Sequence, residues 1–312
     1  MRQADSYLWN FHKRFAYTPE DAIAKCRKAI RLSPDYAEAY LVLANALNKE
    51  GAIDDAIAQY RRAIEIAPDL YYGHINLAKI LELKADLDTT ADKVEESRQL
   101  LEEAVSLYKR AFAIQKGDWQ ERSYLGGALE TLGRQDEAIA EYKNALKDDP
   151  DNLWLLGCLG SSLYKKGLYD EALAIYKHRA KKDPNDKRNH CPVGEVLAAM
   201  GRTEEALSEY RKAEAHIKAG ELLLESGRHD EALKEFKASI QKNPTYGDKA
   251  YYHIGLLLSK KKQGQEVLEH LRTFLKLVDQ KDPLFFTATQ GRQEAYDQFT
   301  SEAKRIIEEL EK

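Results

Sequence analysis

An alanine returns at a fixed interval along most of this 312-residue chain. Ala22 and Ala56 lie thirty-four residues apart, and Ala104, Ala138, Ala172 and Ala206 repeat that spacing three more times, each alanine directly after an acidic residue and before an aliphatic one. A period in this range marks a supersecondary unit that cannot bury its apolar face alone and must stack on copies of itself. The period therefore constrains the fold more than length does, although 312 residues alone would suggest two domains.

Residues 37–70 show what one unit is made of. Apolar and small residues fall at helical spacing twice, first as Tyr40, Leu43, Ala44 and Leu47, then as Ala56, Tyr60, Ala63 and Ile66. Two antiparallel helices are expected. Gly51 stands between them, where a left-handed residue ends the first helix at little steric cost, and Asp54 can cap the second. Pro68 closes the unit because it cannot continue a helix. Ala44, Ala56 and Ala63 let helix axes approach, while Tyr40, Leu43 and Tyr60 fill the space between them.

This pattern of Tyr40, Leu43, Ala44, Leu47, Ala56, Tyr60 and Pro68 resembles the tetratricopeptide repeat (TPR), a thirty-four-residue helix-turn-helix unit. The resemblance covers nearly the whole chain. It implies an all-α protein, a right-handed α-solenoid (superhelix) of about eight TPR helix-turn-helix repeats with a C-terminal capping helix. One solenoid domain over 1–312 is expected, with an N-terminal half at 1–186, an irregular junction at 187–220, a C-terminal half at 221–283 and a capping helix at 292–312.

Departures from the period are as informative as matches. The first repeat has a regular second helix with Ala22, Cys26, Ala29 and Pro34 in register, but residues 6–15 lack the Leu-Gly pair, as a terminal repeat with no neighbour on one side can. In repeat three, Ala56 to Ala104 is fourteen residues too long; Val94, Leu101, Val105 and Tyr108 continue a helical stripe through the extra segment. Both helices should lengthen, by roughly two turns per arm, with Thr89 and Asp92 as candidate caps. Repeats four and five are regular. Arg179 then replaces a small alanine, Pro192 delays the first helix of repeat six to near Cys191, and Ala206 to Ala232 is eight residues short, so the proline-closed loop is missing. The final stripe of Tyr296, Phe299, Ala303, Ile306, Ile307 and Leu310 reads as the cap, preceded by the apolar patch Leu284, Phe285 and Phe286.

Charge narrows the function. Lys and Arg number 48 against 52 Asp and Glu, a net charge of -4, which disfavours nucleic acid held by phosphate neutralisation. No run of residues is apolar enough for a signal peptide or a membrane span, so a cytoplasmic protein without membrane insertion is expected. Three cysteines, Cys26, Cys158 and Cys191, with no CxxC fit reduced thiols. No phosphate loop, zinc motif or nucleophile set is present; His190, Cys191 and Cys158 are too few ligands for a closed zinc site. No enzyme activity, catalytic residue, cofactor or metal is expected.

Function should then lie in the groove. In proteins of this family the first helices line a concave surface, and by register the residues that reach it here include Asn45 and Lys49 in repeat two, Tyr72, Ile75, Asn76 and Lys79 in repeat three, Ser123, Tyr124 and Glu130 in repeat four, and Trp154, Cys158 and Tyr164 in repeat five. Asn45 and Asn76 can clamp the amides of an extended peptide, and the aromatics form walls above the small residues Gly127, Gly157 and Ser161. Lysine and arginine at the positions of Leu41, Gln120 and Tyr124 would grip a C-terminal carboxylate; these residues disfavour that use, although Lys49 and Lys79 leave acidic ligands open. The resemblance implies a non-enzymatic protein–protein interaction module that binds a peptide or partner segment in its concave groove. The alternative is an assembly scaffold acting through the long repeat-three hairpin or the cap, with self-association through the last helix; a homo-oligomer is not the expectation.

Overall fold

The computed structural model describes residues 18–87, 93–260, 264–281 and 290–312. Sixteen α-helices occupy them. In chain order these are α1 (Pro19–Leu32), α2 (Ala37–Lys49), α3 (Ile53–Ile66), α4 (Tyr71–Leu87), α5 (Val94–Ile114), α6 (Trp119–Thr131), α7 (Gln135–Ala145) and α8 (Leu153–Lys165). They continue as α9 (Tyr169–Lys182), α10 (His190–Ala199), α11 (Thr203–Lys212), α12 (His216–Glu225), α13 (His229–Lys242), α14 (Asp248–Lys260), α15 (Gly264–Asp279) and α16 (Gln290–Leu310). The chain forms two compact units, 1–168 and 169–312, divided inside repeat five. The expected first helix at 6–15, the caps Thr89 and Asp92, and the patch Leu284, Phe285 and Phe286 lie outside the described residues.

In the first unit, α1 through α8 pack in sequence, each on the next. The residues that defined the period are the ones at the contacts: Leu43, Ala44, Ala56, Tyr60 and Ala63 are buried, as are Leu125, Ala138, Tyr142 and Ala145 two repeats on. Cys26, in the Tyr60 position of repeat one, is fully buried, and burial pushes its thiol up to about 11. Gly51 adopts φ +78°, with its N–H bonded to Asn48 and that of Ala52 to Leu47, so the turn closes the carbonyls left open at the end of α2. Asp54 does not cap α3; its carboxylate instead receives Lys84 Nζ at 2.7 Å.

The repeat-three insertion is helical, as its stripe predicts, but unequally shared. Helix α4 has 17 residues against 13 in α2, about one extra turn, while α5 has 21 against 14 in α3, about two. Leu87 and Val94, on the two arms, are 62% and 65% exposed.

In the second unit, α10 through α15 also pack in sequence, and α16 lies on α15 and α14 as a cap that buries Tyr296, Ala303 and Ile306. Pro192 is accommodated within the first turn of α10, which starts at His190, beside the expected Cys191, after a 3-10 turn at Lys187–Asn189. The eight missing residues between repeats six and seven have a definite structural counterpart. Ala213, Glu214 and Ala215 join α11 to α12 with the same hydrogen bonds as the glycine turns, Glu214 N–H to Arg211 and Ala215 N–H to Tyr210. Glu214, at φ +54°, is the one non-glycine residue in the left-handed region among the described residues. A turn of the kind used inside repeats has here replaced the proline loop used between them.

Candidate functional site

The candidate residues all lie in the first unit, on α2, α4, α6 and α8. Because leucine and small residues at Leu77-Ala78, Leu125-Gly126 and Leu159-Gly160 hold the three later helices against their partners, residues at a given offset from those pairs recur on one face. Tyr72 and Trp154 share one offset, and Asn76, Tyr124 and Cys158 share another. Tyr72, Tyr124 and Trp154 are 58%, 43% and 67% exposed, which separates them from the buried second-helix tyrosines Tyr60, Tyr108 and Tyr142.

Asn45 and Asn76 meet. Asn76 Nδ2 donates to Asn45 Oδ1 at 3.0 Å, and the buried Tyr60 hydroxyl donates to the same oxygen at 2.6 Å. The carbonyl of Asn45 is thereby committed to the protein, while its amide N–H2 and the carbonyl of Asn76 are not used in this link. Lys49 is exposed at the end of α2. Ile75, placed in the groove by register, is 1% exposed and belongs to the core, because α4 is buried by neighbours on more than one side.

Farther along, a cleft of about 550 Å³ opens between α4, α6 and α8. Ser123, Tyr124, Trp154 and Cys158 line it, together with Trp119, Gln120, Gly127, Glu82, Glu130 and Tyr142. Lys79 joins them indirectly, its Nζ 4.6 Å from the centre of the Tyr124 ring. Tyr72, which meets Tyr71 edge to face, and Tyr164 do not line the cleft. The Ser123 hydroxyl donates to the carbonyl of Gln120 at 2.6 Å and so is spent on its own helix.

Two glutamates give the cleft its charge. Glu82 and Glu130 occupy the same offset, four residues after Ala78 and Gly126. Each accepts from the tyrosine of its own second helix, Glu82 from Tyr108 at 2.5 Å and Glu130 from Tyr142 at 3.4 Å. Glu130 also accepts from Ser162 and from Gln135 Nε2, and Lys165 Nζ lies 3.8 Å away. Burial pushes the Glu82 carboxyl up to about 7; Tyr108 and Lys79 pull the other way, and Asp86 adds to the rise. Register alone identifies Glu130 as groove-facing, and the same offset in repeat three would have found Glu82. Among the described residues no three His, Cys, Asp or Glu side chains gather as metal ligands, and no helix is long and apolar enough to cross a membrane.

Comparison with known proteins bears on the fold. Four models of the tetratricopeptide or TPR repeat match residues 16–80, 126–167, 155–188 and 213–246. No curated protein matches. Among solved structures the chain is similar to YrrB, described as a TPR protein with an unusual peptide-binding site, at 20% identity and a TM-score of 0.54 over 65% of this chain and 97% of that one. It is also similar to the C-terminal part of a TPR repeat-containing protein from Cytophaga hutchinsonii, at 15% identity and a TM-score of 0.58 over 77% and 95% of the two chains. A tetratricopeptide repeat protein from Parabacteroides merdae aligns at 12% identity and a TM-score of 0.54, over 88% and 99%. At these identities the similarity speaks for the fold.

Proposed function

From the premise that this chain is a multi-repeat tetratricopeptide repeat protein, a family that binds protein partners, we propose that it is a non-enzymatic interaction module that holds an extended segment of its partner across α2, α4, α6 and α8. The observation that carries this reading is the cleft walled by Trp119, Tyr124 and Trp154, with the helix backbone laid open beneath it at Gly127. Large aromatics kept at the surface of one face, on consecutive first helices, supply contact area at low entropic cost. The Asn45–Asn76 pair extends the same face toward the N-terminus and offers one donor and one acceptor to a peptide backbone. The peptide-binding site of YrrB is consistent with such use of the fold.

The test is selection of peptides from a random displayed library by the purified full chain, followed by affinity measurements on the winners. Peptides that bind the wild type and lose at least about tenfold in affinity to the Trp154→Ala variant support the reading, as expected for an aromatic anchor. Binders indifferent to Trp154→Ala, Tyr124→Ala and Asn76→Ala would sink it.

A second reading rests on a different observation. The lengthened repeat-three arms expose Leu83, Leu87 and Val94 beside a cleft of about 660 Å³ lined in part by Ala85, Leu101 and Leu132. A scaffold that works through this tip should lose its partner on Val94→Ser, and a groove binder should not.

A further inference from the structure

We propose that the cleft between α4, α6 and α8 receives a basic side chain, lysine or arginine, of the bound segment. The inference rests on the groove reading and specifies its chemistry. Sequence register alone pointed to apolar side chains, with acidic ligands left open. The geometry points elsewhere.

The walls come first. Trp119, Tyr124 and Trp154 surround an opening whose inner surface carries two carboxylates, Glu82 and Glu130, and an aromatic enclosure with negative charge within it is complementary to a cation on an apolar stem. The protein supplies its own demonstration. Lys79 holds its ammonium 4.6 Å from the centre of the Tyr124 ring, within the range at which a ring quadrupole attracts a cation. An ammonium from a ligand would meet the same chemistry from the other walls.

The carboxylates come second. Both are turned to the cleft by the same register, and both are anchored by the hydroxyl of a buried tyrosine, so their positions are set by the core and not by surface rotamers. The charges that face them are Lys79 and Asp86 on the side of Glu82, and Lys165 on the side of Glu130. Lys165 is mostly exposed and 3.8 Å distant, an ion pair of the kind that contributes little and is readily exchanged. Arg122 is occupied by Glu141 at 2.7 Å. Glu82 is partly desolvated at the inner surface of the cleft, and burial raises its carboxyl against the pull of Tyr108 and Lys79. A ligand cation seated there would favour the ionised carboxylate.

The same displayed-library selection tests this, with the winners resynthesised and measured against variants of the full chain. The expected result is enrichment of lysine or arginine at a fixed position. Changing that residue to norleucine should weaken binding by on the order of tenfold, as should the double variant Glu82→Gln/Glu130→Gln, which keeps shape and the tyrosine hydrogen bonds. Lys79→Met should do the reverse, tightening the basic peptide by about two- to fivefold because it removes the resident competitor. Circular dichroism of each variant separates lost binding from lost folding. Winners that depend on Trp154 but carry no basic residue, or that tolerate norleucine, overturn the proposal while leaving the groove reading intact. Winners rich in acidic residues and weakened by Lys79→Met overturn it in favour of an anionic ligand. An absence of Trp154-dependent winners overturns both.

Discussion

A β-carbon on Gly126 would stand 2.5 Å from Cε1 of Tyr142, closer than real side chains approach, whereas one on the adjacent Gly127 would meet nothing within 4 Å. The ring of Tyr142 lies directly on the backbone of α6, and the absence of a side chain at Gly126 is what lets α7 sit that near. Gly194 and Tyr210, and Gly220 and Phe236, repeat the relationship in the second unit.

Two neighbouring glycines should therefore answer the same substitution with opposite sign. Gly126→Ala forces the buried Tyr142 ring or the helix to move and should destabilise the protein by about 1–3 kcal/mol. Gly127→Ala adds helix propensity without a clash and should stabilise it by up to about 1 kcal/mol. Urea denaturation of the two variants reads the difference directly; a destabilised Gly127→Ala would mean that its open side is not open.

Glu82 makes a second prediction, about pH. Burial holds its carboxyl at about 7 in the folded chain, above the ordinary glutamate value near 4.3. Between those two values the folded state binds more protons than the unfolded one, so this residue's contribution to stability falls as pH rises through the window. Glu82→Gln should accordingly be almost neutral near pH 4 and stabilising by about 1–3 kcal/mol near pH 8, solvent at the cleft mouth keeping the figure below the full shift. If denaturation midpoints of the two proteins stay parallel across that range, Glu82 is not desolvated as described.

The fold was legible in the sequence because its information is redundant: Leu125-Gly126, Ala138 and Tyr142 make the same contacts in repeat four as Leu43-Ala44, Ala56 and Tyr60 make in repeat two. The candidate site was legible where register is preserved: Tyr124, Trp154 and Cys158, assigned to one face by register, line one cleft. The face of Glu82 was legible from the same offset, four residues after Ala78, and what the insertion hid was its tyrosine partner. Glu130 reaches its tyrosine across 12 residues and Glu82 across 26, so the equivalence survives in space while the sequence spacing that would announce it is broken. Ile75 erred the other way, because side-chain offset says which face a residue takes but not how far the next helix covers that face. The Asn45–Asn76 bond joins two repeats, and no period within one repeat encodes it.

Glu214 gives a third prediction. Its φ of +54° is the conformation that Gly51, Gly133, Gly167, Gly201 and Gly227 adopt in the corresponding turns, and a β-carbon is strained there. Its carboxylate pairs with Lys187 and Lys242 at the surface, which holds its pKa down at about 2. Backbone and side chain are separable. Glu214→Gly should raise the melting temperature, Glu214→Gln should lower it slightly and only at low salt, and Gly201→Ala should cost about 1 kcal/mol. Thermal melts at two salt concentrations distinguish strain from ion pairing.

The last prediction concerns acid. Arg122 with Glu141, His190 with Glu209 and His216 with Glu235 are three cross-helix pairs, each nineteen residues apart and each at the same place in its repeat. In the second unit both carboxylates are largely buried, which alone would raise them, but hydrogen bonds outweigh burial: Lys212 and His190 hold Glu209 below the usual carboxylate range, and His216 and Arg211 do the same for Glu235. A depressed carboxylate contributes stability that is fully present above the unfolded value near 4.3 and is lost as pH falls through the lower folded value. Glu235→Gln should then cost about 1.5–3 kcal/mol near pH 7, the worth of a hydrogen bond to a charged group in a site that is 9% exposed. Below the unfolded value near 4.3 the gap to the wild type should narrow as the unfolded chain's carboxyl takes up its proton, and it closes once the pH passes the lower folded value. A constant gap from pH 7 down to pH 3 would show that Glu235 acts through shape and not through charge, and the same measurement on Glu209→Gln would show whether the two repeats share one design.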